Sequence, residues 1–278
     1  MISNSGVLAI NKALLKDPCL TTQQLKVKLK LLASKRTINR YINKIGWKKS
    51  RTRYCQVVDP MNRVKRFSFA CLVKIYNDLF DDVLAVDECT VELRNSTYKA
   101  WNKATGKMNI LRTDRGKIGK FKHNIKVHLF GGISRKGLCP LIIFEGIMHS
   151  KDFQNHLKAS VIPFIQEKFP YGHRFFMDND PKHTSHSTRR FLIREDIRHF
   201  PTPAQSPDLM PIEMVWNDLK FFLCKQGRQL KTKDDLISNI NQFWLQKEDD
   251  LVYCNKKFDH IQRAIDMTIA LGGRATGL

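Results

Sequence analysis

The segment Arg174-Phe175-Phe176-Met177-Asp178-Asn179-Asp180-Pro181-Lys182-His183-Thr184-Ser185 carries the first structural signal. Its first five residues read as an apolar strand that ends in an acid. Pro181, preset for a first helical turn, predicts a helix over 181–196. Val83-Leu84-Ala85-Val86-Asp87 repeats the pattern of a buried strand closed by an acid, and residues 91–93 read as the continuation of a hairpin. Further strands are expected at 124–130, with Gly131-Gly132 bending the chain after it, at 140–144, and briefly at 197–200. Helical spacing runs over 152–169, then from Pro211 with Val215, Trp216, Leu219, Phe222 and Leu223 on the apolar side, and near 233–246 and 257–270. Glu213 falls in the first turn of the helix opened by Pro211. Strands first, then alternating helices and strands, predict an α/β domain with a mixed sheet over 81–278. A buried ionised carboxylate is costly unless it is paired or binds a metal. Two acids at strand ends and a third on a nearby helix could therefore hold a hard cation such as Mg2+.

The 278-residue chain carries 48 Lys and Arg against 26 Asp and Glu, a net charge of +22. The excess is uneven: residues 1–66 hold 16 basic and two acidic residues. A basic head on a milder body predicts a polyanionic partner, most simply nucleic acid. Hydrophobic residues at 42%, with 17 Phe, suffice for a core and exclude whole-chain disorder. No run approaches the ~18 apolar residues of a membrane span, and no secretory leader is expected from the start of the chain. The seven cysteines are scattered without a CxxC pair. They predict neither a disulfide framework nor a zinc ribbon, and they point to a reducing compartment, cytosol or nucleus.

Residues 1–53 read as three helices. Val7, Leu8, Ile10, Leu14 and Leu15 give the first its apolar spacing. Thr21 and Gln24 form the ends of a capping box for the second. Ser34 can cap a third helix over 35–45, and Gly46 can stop it. Ile38, Tyr41, Ile42 and Ile45 make its apolar side; Lys35, Arg36, Thr37, Arg40 and Asn43 occupy the rest. This all-α arrangement suits a helix-turn-helix whose last helix enters the major groove of double-stranded DNA. Arg can bond guanine edges, Asn adenine edges, and Lys phosphate. The competing reading is a small bundle with a solvated charged face. Lys48, Lys49, Arg51 and Arg53 extend the basic run, as a minor-groove arm or a nuclear import signal. Residues 54–80, with a helical pattern through Phe67, Ala70, Leu72, Val73 and Ile75, are expected to link the two domains.

Two longer motifs add specificity. Asp178-Asn179-Asp180-Pro181-Lys182-His183-Thr184-Ser185 and Gln205-Ser206-Pro207-Asp208-Leu209-Met210-Pro211-Ile212-Glu213, followed by Trp216, Leu219 and Lys220, resemble the Tc/mariner superfamily of DNA transposases, the Tc branch in particular. Its pattern reads DNDPKHTS and then SPDLNPIE, and the 34 residues between Asp178 and Glu213 match that branch's interval. Val86-Asp87-Glu88, Arg66-Phe67-Ser68-Phe69-Ala70 and His128-Leu129-Phe130-Gly131-Gly132-Ile133-Ser134 are similar to further family segments. The resemblance covers about residues 20–225.

It implies a ribonuclease-H-like catalytic domain with Asp87, Asp178 and Glu213 as a metal-binding DDE triad. Two Mg2+ (or Mn2+) ions there would activate water, stabilise the leaving oxygen and neutralise phosphate charge. Water would free a 3′-OH at the transposon's terminal inverted repeat, and that 3′-OH would attack target DNA, typically at TA. A homodimer working in the nucleus follows from the same resemblance. Asn179, Lys182 and His183 are candidates for support of the site; Lys182 and His183 could contact DNA phosphate or scaffold it. Strand alternation turns Glu88 away from the metal, and Asp208 reads as a helix N-terminal acid. His183 and His186 lack the further His or Cys that zinc needs. Gly131-Gly132 reads as a turn rather than a phosphate cradle. Met210 stands where the family has Asn, a change expected to loosen the turn beside Glu213, and Phe130 replaces a Trp. Relatives carry two helix-turn-helix units, and the segment 20–49 looks like the second, so part or all of the first is expected to be missing.

Three functions follow as candidates. The first is an active transposase. The second is a transposon-derived, sequence-specific DNA-binding protein without transposition activity. The third is a metal nuclease of the same fold with another task. The intact triad and the ordered motifs favour the first, and the short N-terminal region favours the second.

Overall fold

In the computed structural model, which describes residues 2–17, 20–48, 56–92, 125–226, 230 and 232–277, the chain forms two compact units, residues 1–54 and 55–278. The smaller contains α1 (Asn4–Lys16), α2 (Thr22–Lys28) and α3 (Lys35–Lys44), packed around Ile10, Leu14, Leu25 and Ile38. The local signals that start and stop these helices take the form expected. Thr21 Oγ1 accepts from the Gln24 amide at 3.2 Å, and Gln24 Oε1 accepts from the Thr21 amide at 2.8 Å. Ser34 Oγ accepts from the Thr37 amide at 3.2 Å. Gly46 takes φ +91°, and the Trp47 amide returns to the Ile42 carbonyl, a Schellman closure that a side chain at residue 46 would strain.

The larger unit is built on β1 (Val83–Glu92). Its side chains alternate between two apolar layers. β1 pairs antiparallel with β2 (Lys126–Ser134), where Asp87 faces Gly131, and parallel with β5 (Arg174–Phe176). β3 (Gly137–Leu138) and β4 (Ile142–Phe144) pair with the two ends of β2. The sheet is therefore mixed, in the order β3-β2-β1-β5 with β4 beside β2. On one face lie α4 (Pro60–Ile75), α9 (Pro211–Gln226), α10 (Lys233–Lys247) and α11 (Leu251–Ala270). They bury Ala85, Cys89 and Val91 against Val215, Trp216, Phe243 and Ile261. On the other lie α5 (Ser150–His156), α6 (Ile162–Lys168) and α8 (His186–Arg194). They bury Leu84, Val86 and Phe130 against Phe153, Leu157 and Phe191.

The structure corrects several expectations. The glycine pair does not bend the chain: β2 runs straight through it. A Cβ on Gly131 would stand 2.7 Å from the Trp244 ring, and one on Gly132 would stand 2.9 Å from Val86 Cγ1. Both glycines are there for close packing. The helix expected over 152–169 is one run broken by a π turn at Leu157–Val161, just before Pro163, which has no N–H to continue the ladder. The helix expected over 181–196 divides into α7 (Pro181–Thr184) and α8, because Ser185 stays extended and caps α8 by accepting from the Thr188 amide. Residues 197–200 supply only an isolated bridge, Phe175 to His199. α11 begins before the expected 257 because Asp250 caps it at the Tyr253 amide, while its first residues, Leu251 and Val252, are exposed and blur the apolar spacing. Residues 60–75, expected as part of the link between domains, form α4, which packs on α11 inside the larger unit. No described helix is long and apolar enough to cross a membrane.

Candidate active site

β1 and β5 run parallel, and the carboxyl end of β5 opens beside the middle of β1, two residues before the level of Asp87, on the side where α/β folds gather ligand groups. Asp87 lies on β1 and Asp178 two residues beyond β5. Glu213 enters from the first turn of α9. A 3₁₀ turn, Pro207–Leu209, sets the start of that helix: the Met210 amide bonds Pro207 O, and the Glu213 amide bonds Met210 O. Met210 is itself buried in the core, so the Asn-to-Met departure fills space and the turn is closed rather than loosened. The three acids line one cavity of about 280 Å3 together with Asn179, Gln205 and Ser206.

The electrostatics differ among the three. Burial, then the charges of Glu213 and Asp178, push Asp87 up to about 7. Burial also raises Glu213, with the Lys220 ammonium opposing and Asp178 reinforcing the rise. Asp178 goes the other way: burial would raise it, but the bond from His183 and the Asp180 amide hold it below the ordinary carboxylate range. One cavity thus collects negative charge that the protein only partly neutralises. Among the described residues, no group of three His, Cys, Asp or Glu side chains stands close enough together to hold an ion. Asp87, Asp178 and Glu213 share a cavity without being drawn to ligating distance.

The neighbours sort themselves clearly. Glu88 points away from Glu213, as alternation requires, and toward α7: its Oε1 lies 3.0 Å from His183 Nε2 and its Oε2 2.8 Å from Lys182 Nζ. His183 Nδ1 lies 2.5 Å from Asp178 Oδ1. Burial alone would lower His183, yet its two carboxylate partners raise it to about 9. Asp180 caps α7 and pairs with Lys182 at 2.8 Å. Asn179 reaches the Thr202 carbonyl at 3.4 Å. Asp208 is not a free helix-terminal acid: it pairs with Arg66 through two 2.8 Å bonds. Sequence reasoning missed Glu88 as a partner of His183, and Arg66 as a partner of Asp208. Both pairings span long sequence distances, and only the acidic and basic residue types hinted at them.

In the smaller unit, Lys35, Arg36, Arg40, Asn43 and Lys48 are exposed. Thr37 is half-buried, its hydroxyl 2.9 Å from that of Ser34, which ties it to the cap. Lys49, Arg51 and Arg53 lie outside the described residues. Asn39, which the sequence reading passed over, is exposed beside Arg36, Arg40 and Asn43, and its Oδ1 accepts from the Thr22 hydroxyl at 2.6 Å.

Residues 82–237 match the DDE superfamily endonuclease family. The Tc1 transposase of Caenorhabditis elegans is 29% identical over 150 residues, 54% of either chain. The Tc3 transposase of the same organism is 26% identical over 229 residues, 82% of this chain and 68% of that one. The chain spans about half the length of the Tc1 relative that it matches. Among solved structures, the Mos1 transposase paired-end complex with the left transposon end superposes with a TM-score of 0.78 at 16% identity, covering 97% of this chain and 79% of that one. The Mos1 paired-end complex with Mg gives 0.73 at 16%, covering 96% and 78%. The fold is that of these mariner transposases.

Proposed function

The chain belongs to the DDE superfamily endonucleases, and on that premise we propose that it is a DNA transposase. Its ribonuclease-H-like domain would cut at transposon ends and join the freed 3′-OH to target DNA at TA. The observation that carries the reading is the convergence of Asp87, Asp178 and Glu213 on one cavity, from β1, the end of β5 and the start of α9. The transposase names of the Tc1 and Tc3 relatives support it.

The donor set suits Mg2+ or Mn2+. Three carboxylates are hard oxygen ligands, and a cation would offset both the burial and the neighbouring carboxylate charges that push Asp87 up to about 7. A paired-end complex of Mos1 contains Mg. Two ions held by Asp87, Asp178 and Glu213 would supply activated water, charge neutralisation and a stabilised leaving oxygen. The protein's own groups do the rest. Asp178 is bonded by His183, Lys220 moderates the charge on Glu213, and Asn179 lines the cavity wall. No side-chain nucleophile is required, since water and then a DNA 3′-OH attack.

The smaller unit would serve as a helix-turn-helix, with α3 in the major groove of the terminal inverted repeats. Arg36, Arg40, Asn43 and Asn39 form one exposed stripe at helical spacing, flanked by Lys35 and Lys48. The Mos1 paired-end complexes support a protein that engages two DNA ends, hence a homodimer, and the free cysteines among the described residues suit the reducing nuclear compartment expected for it. The experiment is strand cleavage: full-length protein, Mg2+ and DNA bearing its element's ends, beside an Asp178→Asn control. Cleavage at the ends that the control loses is the expected result. DNA binding without cleavage in the unaltered protein would overturn it.

A further inference from the structure

His183 is 1% exposed, and its ring packs on Phe153 with centroids 4.1 Å apart. Both ring nitrogens face carboxylate oxygens, Nδ1 to Asp178 Oδ1 at 2.5 Å and Nε2 to Glu88 Oε1 at 3.0 Å. Glu88 Oε2 takes Lys182 Nζ at 2.8 Å, and that ammonium also holds Asp180 Oδ2 at 2.8 Å. A flipped or rotated imidazole would leave buried polar atoms without partners, which is costly, so the ring has one orientation. The Asp180 amide donates to Asp178 Oδ1 as well, at 3.1 Å. Both bonds therefore fall on one carboxylate oxygen, and no hydrogen bond among the described residues engages Oδ2.

We propose that His183 is a positioning residue: Glu88 and Lys182 fix its ring, the ring fixes Asp178 through Oδ1, and Oδ2 is thereby presented to the cavity shared with Asp87 and Glu213. This rests on the reading of Asp178 as a metal ligand. Groups that hydrogen-bond a ligating side chain set its orientation, and their loss typically weakens metal binding or activity about 10–100-fold. The network also gives Glu88 a task that its place beside Asp87 conceals. It is an acid directed at the imidazole rather than at a cation.

The test separates the two ring nitrogens. His183→Asn places an amide N–H near the site of Nδ1 and keeps the bond to Asp178. His183→Gln places it near Nε2 and keeps the bond to Glu88 instead. Binding of Mn2+ to the full chain, with and without the element's DNA ends, is followed by the loss of the free-ion electron paramagnetic resonance signal. Thermal unfolding of the metal-free variants runs alongside. His183→Gln is expected to weaken Mn2+ binding about 10–100-fold and His183→Asn to recover most of it, while Glu88→Gln falls between. A merely structural histidine would move both variants alike. Mn2+ binding by His183→Gln that equals or exceeds the unaltered protein's overturns the inference. If that variant does not fold, unchanged binding by Glu88→Gln does the same. Asp178→Asn distinguishes the two levels. Unchanged Mn2+ binding in it removes the ligand reading and the positioning role together. Lost binding in it beside unaffected His183→Gln removes the positioning role alone.

Discussion

Replacing Arg66 by Met should unfold the larger unit more easily than any surface change. Arg66 is fully buried on α4. Its Nε donates to Gly273 O, Nη1 to Gln205 O and Asp208 Oδ1, and Nη2 to Asp208 Oδ2 and Arg274 O. All five guanidinium donors are thus used. They join α4, the turn that introduces Glu213, and the segment after α11. Met fills much of the volume but leaves three carbonyls without their Arg66 donors and Asp208, 10% exposed, without its cation, held by Thr276, whose amide donates at 2.8 Å. Removing one partner of a buried pair costs about 3–5 kcal/mol. For a unit of this size each kcal/mol moves the melting temperature by about 2–4 °C, so the expected drop is about 6–20 °C. The pH dependence has a definite sign. Burial would raise Asp208, but the bonds from Arg66 and the Thr276 amide lower it. The stability this pair contributes is therefore present above the unfolded carboxylate value near ~3.9 and fades as pH falls through the lower folded value. The deficit of Arg66→Met should be full at neutral pH, where Asp208 is ionised in both proteins, and shrink as falling pH protonates Asp208, which in the variant is left to burial alone. Urea unfolding across that range measures it. A loss under about 1 kcal/mol, or a deficit that grows in acid, would refute the assignment of Arg66 and Asp208 as a buried, mutually dependent pair.

Further outcomes follow from the same geometry. Arg36→Ala with Arg40→Ala should weaken binding to the terminal repeats and, where both reach phosphate, reduce the slope of log K against log salt by about 1.8, since each phosphate neutralised contributes ~0.9; unchanged affinity and slope in a salt titration rule out α3 as the DNA-facing helix. Because Asp87 is raised to about 7, the metal-free native state holds a proton that the unfolded chain releases near ~3.9. Its stability should therefore decline as pH rises from about 4 to 7, and Mg2+ or Mn2+ should restore it above 7. Metal affinity that is flat between pH 6 and 8 in calorimetric titrations would contradict this. Cleavage should proceed with Mg2+ or Mn2+ and fail with Ca2+, which prefers more ligands in a looser geometry. Gly131→Ala should cost about 1–3 kcal/mol by overpacking, because its Cβ meets both Trp244 and Trp216; a melting temperature equal to the unaltered protein's would show that the stacked indoles yield freely.

What could be read from the sequence was local, and what could not was pairwise. The capping box at Thr21 and Gln24, the Ser34 cap and the Gly46 stop depend on residues within five positions of one another, and the helices they bound stand within a residue or two of expectation. The apolar runs before Asp87 and Asp178 announced themselves because a charge at the end of a buried run has few reasons to be there, although β1 continues to Glu92 and β5 stops at Phe176. Gly131-Gly132 was misread as a bend because glycine's absence of a side chain and its backbone freedom look identical in one dimension. For Gly131 the distinction lies in Trp216 and Trp244, respectively 85 and 113 positions away, and for Gly132 in Val86 and Cys139, whose side chains occupy the missing Cβ volume.

The site shows the same division at closer range. Residue types alone pick out carboxylates that can hold a cation, but not the state in which the protein keeps them. Asp87 and Glu88 are adjacent, yet the strand sends one toward Glu213 and the other toward His183, and their surroundings make one an acid raised by burial and by its carboxylate neighbours and the other the partner of an imidazole. Asp178 and Asp208 each sit in a motif rich in acids, yet one ends against a histidine and the other against an arginine delivered from α4. Alternation predicts which way each strand acid points; what it meets there is decided by α4, α7 and α9. The chemistry of this cavity is therefore a property of the packing of those helices on the sheet edge. A substitution such as Arg66→Met, which touches none of the three cavity acids, should disturb the approach of Glu213 through the Asp208 turn.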